Sequence, residues 1–283
     1  MALIDPAQML MAMIDSGRTK GRLRPYIGFS AIGGECMART WYAFRWAAKP
    51  PDIHARKQRI FDRGNLEEAR VVKELKKIGC EVFKRVDGKK VEMTGAEGEI
   101  QEEFTRFNGH VRGHPDGRVL NLPGDEKEEY ILEIKTAGES GFKKMCRHGL
   151  EKSNRSYYAQ VQRNMGAAGL KKTLFIIVNK NDESWKIIIV HFDEAFCNEL
   201  LEKEEFILTS VMVPPKAFKP GHFKCDDCLA NLICHMKVIP DANCRTCMFG
   251  TIKENGTWAC GKTKKELSIA EQEAGCKKYK RLF

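Results

Sequence analysis

The sequence predicts an α/β fold, a mixed central sheet flanked by helices, followed by a small cysteine-rich module. Three observations carry this reading. Tyr130-Ile131-Leu132-Glu133-Ile134-Lys135 alternates like a strand, so Ile131, Glu133 and Lys135 share one face and Leu132 and Ile134 the other. Leu66, Ala69, Val72 and Leu75 fall at helical spacing and mark an amphipathic helix, expected to open after Gly64. Pro214-Pro215 then closes the patterned region, and cysteines recur at metal-like spacing beyond it. The expected division is 1–215 for the α/β domain and 216–283 for the module. A chain of 283 residues suits that pair.

Each element follows from its local signals. Residues 5 to 16 read as a short helix stopped by Gly17. Arg18, Lys20, Arg22 and Arg24 alternate through a loop that ends at Pro25. They are candidate contacts for backbone phosphates, and a plain flexible basic loop reads equally well. Ser30 is expected to cap a helix running through Cys36 to Trp46, whose aromatics read as core, and Pro50-Pro51 breaks it. After the helix carrying Glu68, Gly79 stops the chain and Glu81 to Arg85 reads as a strand. Residues 89 to 120 read as short strands and turns, and 121 to 129 as an acidic hairpin loop. Helices are expected near 139–148 and 154–168. Strands are expected at Leu174 to Asn179 and Trp185 to His191, around the turn Lys180-Asn181-Asp182-Glu183. Asp193 is expected to cap a helix reaching about Val211.

The chemistry-bearing residues are Asp116, in Gly113-His114-Pro115-Asp116-Gly117, and the pair Glu133 and Lys135. Two carboxylates and an ammonium brought together offer hard oxygen ligands to Mg²⁺ or Mn²⁺ beside a water molecule. Such an ion neutralises a phosphate and lowers the pKa of water, which is what phosphodiester hydrolysis needs. Lys135 is placed to orient or deprotonate that water, or to stabilise charge in the transition state. Glu68, beside the apolar stripe of its helix, is the candidate third acid; the bland alternative is a solvated helix carboxylate. His110 and His114 flank the motif and read as structural or as DNA contacts.

With these residues in view, the chain resembles the PD-(D/E)XK nucleases. The segments are Arg63-Gly64 with the Glu68 helix, Pro115-Asp116-Gly117, Leu132-Glu133-Ile134-Lys135, and Tyr157-Tyr158-Ala159-Gln160-Val161-Gln162. Their order and approximate spacing are most similar to the phage lambda exonuclease and YqaJ-type branch, over roughly residues 25 to 210. The resemblance implies a restriction-endonuclease-like core. It implies that Asp116, Glu133 and Glu68 gather the metal, that Lys135 serves the water, and that Gln160 lies on a helix lining the site. Asn164 stands where RecB-like relatives often carry Tyr, and its role stays open.

The tail admits more than one partition. Cys225, Cys228, Cys244 and Cys247 could form a zinc ribbon, which strands Cys234, Cys260 and Cys276. The triplet Cys225-x2-Cys228-x5-Cys234 also resembles the cluster of RecB-like nucleases that carry [4Fe–4S]. That resemblance implies a fourth ligand from far upstream, where Cys36 sits. Cys244, Cys247, Cys260 and Cys276 would then make a four-thiolate Zn²⁺ site. Zinc alone in another pairing, or no metal, remain open. Trp258 and Lys262 to Lys265 could make the module a DNA clamp, or the module could be a folding staple. Cys80, Cys146 and Cys197 read as ordinary buried thiols.

Formal net charge is +10, which suits a polyanion. No run of 18 apolar residues occurs, and the start has no basic n-region, so neither a membrane span nor a signal peptide is expected. Cytoplasmic location is the expectation, and it makes eleven cysteines unlike a disulfide framework. The leading functional expectation is a Mg²⁺-dependent DNA exonuclease of phage or prophage recombination type. It would act on linear ends without sequence preference, with a single-strand annealing protein or a second copy as partners. Alternatives are a CRISPR-adaptation nuclease, an endonuclease and an inactive DNA-binding module.

Overall fold

The computed structural model describes residues 5–96 and 98–283. The expectation that no signal peptide opens the chain falls in part on residues 1–4, outside that range. Helix α1 (Pro6–Asp15) is capped by the Asp5 carboxylate and buries none of its side chains. Strand β1 (Arg18–Thr19) pairs with β3 (Ile53–His54). Between them lie β2 (Ile27–Gly28), α2 (Phe29–Ile32) and α3 (Met37–Phe44). The single helix expected behind Ser30 is therefore two. The chain turns at Gly33, and Cys36 caps the second helix with extended backbone. Trp41, Tyr42, Phe44 and Trp46 are buried, as core aromatics should be.

Helix α4 (Ala55–Lys77) starts well before Gly64 and runs through it. A glycine inside a helix costs only about 1 kcal/mol, which the apolar stripe outweighs. Strands β4 (Glu81–Val86) and β5 (Lys89–Glu92) form a hairpin; β6 (Phe104–Arg106) and β7 (Val111–Gly113) form another. Strand β8 (Gly117–Leu120) leads to β9 (Tyr130–Ala137), the strand carrying Glu133 and Lys135. Helices α5 (Glu139–Ser153) and α6 (Arg155–Ala168) then cross to β10 (Lys172–Asn179), and β11 (Trp185–His191) returns beside it. Helix α7 (Glu194–Thr209) is capped by the Asp193 side chain. The tail holds α8 (Asn231–Met236), the ribbon β12 (Gly250–Ile252), β13 (Trp258–Cys260), β14 (Glu266–Leu267), and α9 (Ile269–Ala274).

The central sheet has the order β11-β10-β9-β8-β4-β5. Only β9 and β10 run parallel, joined by the α5–α6 crossover that a parallel pair requires. Helix α4 covers one face, with Val71, Val72 and Leu75 against Val82, Val119, Leu132, Ile134 and Leu174. Helices α5 and α6 cover the other, with Met145, Leu150, Val161 and Met165 against Ile131, Phe175 and Ile177. Each such aliphatic side chain contributes about 1.5–3 kcal/mol when fully buried. Cys80 and Cys197 are buried as expected, but Cys146 is exposed, because α5 turns its neighbour Met145 to the sheet instead.

A further core joins α2, α3 and α7 to the tail. Phe29, Ile32, Trp41, Phe44, Ile207 and Leu208 pack with Trp258. Trp258 is 1 % exposed, so it is a core residue and not a DNA-facing clamp; Lys262, Lys264 and Lys265 are exposed. Arg245 is buried among Trp46, Phe44 and Trp258 and donates to Pro25 O, Phe44 O and Gln272 Oε1. Among the described residues no helix is long and apolar enough to cross a membrane.

Candidate active site

The antiparallel ladder between β8 and β9 stops at Gly117, which pairs with Leu132. One residue beyond, Asp116 replaces the missing backbone partner: its Oδ2 accepts the Ile134 N–H at 2.6 Å. The fork so formed places Asp116 beside Glu133 and Lys135. Two glycines make the approach possible. A Cβ on Gly113 would collide with the Phe29 ring, and one on Gly117 with Met93 Sδ.

Glu133 is fully buried. Its Oε1 accepts from Gln160 Nε2 at 2.6 Å and from the Lys135 ammonium. Asn164 Nδ2 stands 3.5 Å from its Oε2. Gln160 and Asn164 lie four apart on α6 and so share a helix face. An adjacent flank of α6 is fixed by Arg163, which pairs with buried Glu204 at 2.6 Å. The Asn164 Oδ1 is buried without a hydrogen-bond partner. Lys135 Nζ lies 3.6 Å from Asp116 Oδ2 and 5.7 Å from the Tyr157 ring centre.

Glu68 faces this group from α4. Its neighbour Glu67 does not: it is buried between Arg63 at 2.8 Å and Arg70 at 3.5 Å, and both arginines also pair with Glu183 of the β10–β11 turn. That network holds α4 against the sheet. Burial pushes the Glu68 carboxyl up to about 7, aided by the Asp116 charge and opposed by Lys135 and Lys84. Burial likewise raises Glu133 to about 8, with Asp116 adding to it and Lys135 opposing. For Lys135, burial works against the charged form, but Asp116, Glu133 and Glu68 outweigh it and its pKa rises. The group is thus three carboxyls that repel one another around one firmly held ammonium.

Lys84 is absent from the sequence-based site. It points to the α4 face of β4, 3.4 Å from Glu99 Oε2, and is only 8 % exposed. Its one signal in the sequence is a lysine at a position that should be apolar by alternation with Val82. His110 is also buried, with Nε2 3.2 Å from Lys253 O, so it joins core to tail and does not face the site. His114 Nε2 lies 3.5 Å from Glu103 Oε2. Arg18, Lys20, Arg22 and Arg24 are all exposed; Arg18 is tied to Asp15 O and Gly17 O, and Arg24 lies 5.4 Å from the Tyr26 ring centre.

The cysteines gather in two places. Cys36, at the start of α3, lies near Cys225, Cys228 and Cys234, and Tyr42 sits among these thiols. Cys244, Cys247, Cys260 and Cys276 line one cavity of about 40 Å³. The Thr263 hydroxyl and amide, with the Lys262 amide, hold the Cys260 thiol below its usual range. Burial and the other three thiols push Cys244 up to about 11. Among the described residues, no three His, Cys, Asp or Glu side chains are drawn into a ready-made metal cage. At the carboxylates, the Lys135 ammonium lies between the acids.

No family model and no curated protein matches this chain. Solved structures give distant likenesses. An alkaline exonuclease, LHK-Exo, from Laribacter hongkongensis is 16% identical, with 66% of this chain and 87% of that chain covered at a TM-score of 0.45. Its complex with dAMP is 17% identical, covering 65% and 86% at 0.45. SSO0001 is 15% identical, covering 82% and 97% at 0.39. The chemistry of the site rests on its own side chains.

Proposed function

We propose that this chain is a divalent-metal-dependent deoxyribonuclease that degrades linear DNA from its ends. The observation that carries the reading is the convergence of Asp116, Glu133 and Glu68 on Lys135 where the β8–β9 ladder forks. Clustered carboxylates this close repel a phosphate, so they suit DNA only when they hold a cation. Their oxygens fit Mg²⁺ or Mn²⁺. A bound ion would neutralise charge on the scissile phosphate and acidify the attacking water. Lys135, kept as an ammonium, donates toward the phosphate oxygens as their charge grows. Gln160 holds the Glu133 carboxylate in place, and Asp116 is aimed by its bond to Ile134.

Two further metal centres belong to this reading. Cys36, Cys225, Cys228 and Cys234 would hold a [4Fe–4S] cluster, joining α3 to the tail across almost the whole chain. Cys244, Cys247, Cys260 and Cys276 would hold Zn²⁺, a fit supported by their shared cavity. The exposed Arg18, Lys20, Arg22 and Arg24 supply phosphate contacts that are blind to sequence.

The test is digestion of end-labelled linear DNA and of covalently closed circles with Mg²⁺. Linear DNA should fall to mono- or short oligonucleotides, with strong inhibition by salt, while circles survive. Discrete fragments from a closed circle, in a pattern set by sequence, would overturn end-dependence. Absence of cleavage with either Mg²⁺ or Mn²⁺ would overturn the nuclease reading.

A further inference from the structure

The loop between α7 and α8 carries three stacked rings that none of the chemistry above uses. Phe218 and His222 lie with centroids 4.4 Å apart and planes 16° apart. His222 and Phe223 continue the tier at 4.7 Å and 25°. His222 is anchored as well as stacked, because its Nδ1 accepts the Lys224 N–H at 3.2 Å. The Lys224 ammonium lies 5.2 Å from the Phe218 ring centre. Phe223, at the end of the tier, is 71 % exposed. A scattered exposed ring needs no explanation. This one is held at the surface by an anchored neighbour, so its orientation is set before any ligand arrives.

The surroundings are basic. Lys216, Lys219 and Lys224 are exposed within the same nine residues, with Lys216 bonded to Cys234 O and Lys224 paired with Glu35, and Asp226 and Asp227 follow beyond Cys225. Flat aromatic faces flanked by ammonium groups match an unpaired base between its phosphates. A duplex hides its base faces by stacking them on each other, so the matching ligand is a single strand. The position also fits. Lys224 pairs with Glu35, next to Cys36. Gly33 at the end of α2 abuts Ala159 of α6, and the following residue, Gln160, holds Glu133. The tier is thus tied to the segment after α2, the helix that packs on α6.

We infer that Phe223, backed by His222 and Phe218, is a stacking platform for a base of single-stranded DNA, with the neighbouring lysines on its phosphates. The inference rests on the proposed deoxyribonuclease reading, in which removal of one strand from a DNA end leaves its complement unpaired. The test uses the full chain with Ca²⁺ in place of Mg²⁺ and fluorescence anisotropy of labelled oligothymidylate. Phe223→Ala should weaken binding of a strand of about 15 nucleotides by about tenfold. Phe223→Trp should restore it. An abasic strand of equal length should bind wild type and Phe223→Ala alike. Equal thymidylate binding by wild type and Phe223→Ala overturns the platform, as does equal loss on the abasic strand. So does a Phe223→Ala chain that keeps strand binding but loses self-association in sedimentation, which would assign the ring to a protein contact. A wild-type chain that cleaves linear DNA yet binds no single strand removes the platform and leaves the nuclease standing; one that neither cleaves nor binds removes both.

Discussion

Gln160 Nε2 donates to Glu133 Oε1 at 2.6 Å, while the Lys135 ammonium bonds the same oxygen. Two donors on one carboxylate oxygen make Glu133 the hub of the group. The Lys135 charge and hydrogen bond work against the burial that favours its neutral form. A divalent ion would compete with Lys135 for that oxygen, because the ammonium stands where the acids converge. Cation loading and the position of Lys135 are therefore linked.

Lys135→Ala should lower cleavage by about 10² to 10⁴ while DNA binding survives, since a stabiliser of transition-state charge is worth about that much. Lys135→Arg should recover little, because a planar guanidinium does not fit the space of a point charge. Single-turnover rates paired with binding curves check this. Full activity in Lys135→Ala would end the assignment.

Gln160→Ala should reduce activity by about 10- to 100-fold, as loss of a group that orients a ligand does. Raising Mn²⁺ should recover part of it, because the defect lies in how Glu133 is held. Gln160→Glu should be worse than alanine, as it sets a second acid against Glu133. Identical Mn²⁺ activation curves for wild type and Gln160→Ala would show that the amide is only packing.

Much of this site is legible in the residue order. The alternation of β9 places Glu133 and Lys135 on one face, but the helical stripe expected on α4 fails at Leu66, which is 68 % exposed while Glu67 beside it is buried. The failures are long-range or concern helix ends. Gly64 looks like a boundary, yet α4 begins at Ala55 and passes through it; one helical glycine costs only about 1 kcal/mol. Alternation with Val82 puts Lys84 on the buried face, but its partner Glu99 comes from a distant loop that local pattern does not reveal. Trp258 looks like a surface aromatic because its partners, Phe44 and Arg245, lie in separate segments of the chain.

Protein purified without oxygen should be brown, with broad absorbance near roughly 400 nm, if four thiolates hold an iron–sulfur cluster. Cys36→Ala should lose that colour as completely as Cys228→Ala, because α3 brings its thiol to the tail group. About one zinc per chain should persist in Cys36→Ala and vanish in Cys247→Ala. A full iron complement in Cys36→Ala would remove the link between the start of α3 and the tail.

His110 should make the docking of the tail sensitive to mild acid. Burial holds its pKa below the ordinary value, with the Arg245 and Arg112 charges adding to the effect, while the Lys253 and Thr257 backbone groups oppose it. In the unfolded chain the ring takes a proton near pH 6.5, so below that pH the unfolded state binds more protons. The stability contribution is therefore complete above about pH 6.5 and is lost as pH falls, with a slope of at most about 1.4 kcal/mol per pH unit for one proton. Thermal melts from pH 8 to pH 5.5 should show this loss in the wild type. His110→Asn, which carries no titrating ring, should start less stable and decline less steeply. Parallel Tm-against-pH curves for the two proteins would show that this imidazole does not couple protonation to the joint between core and tail.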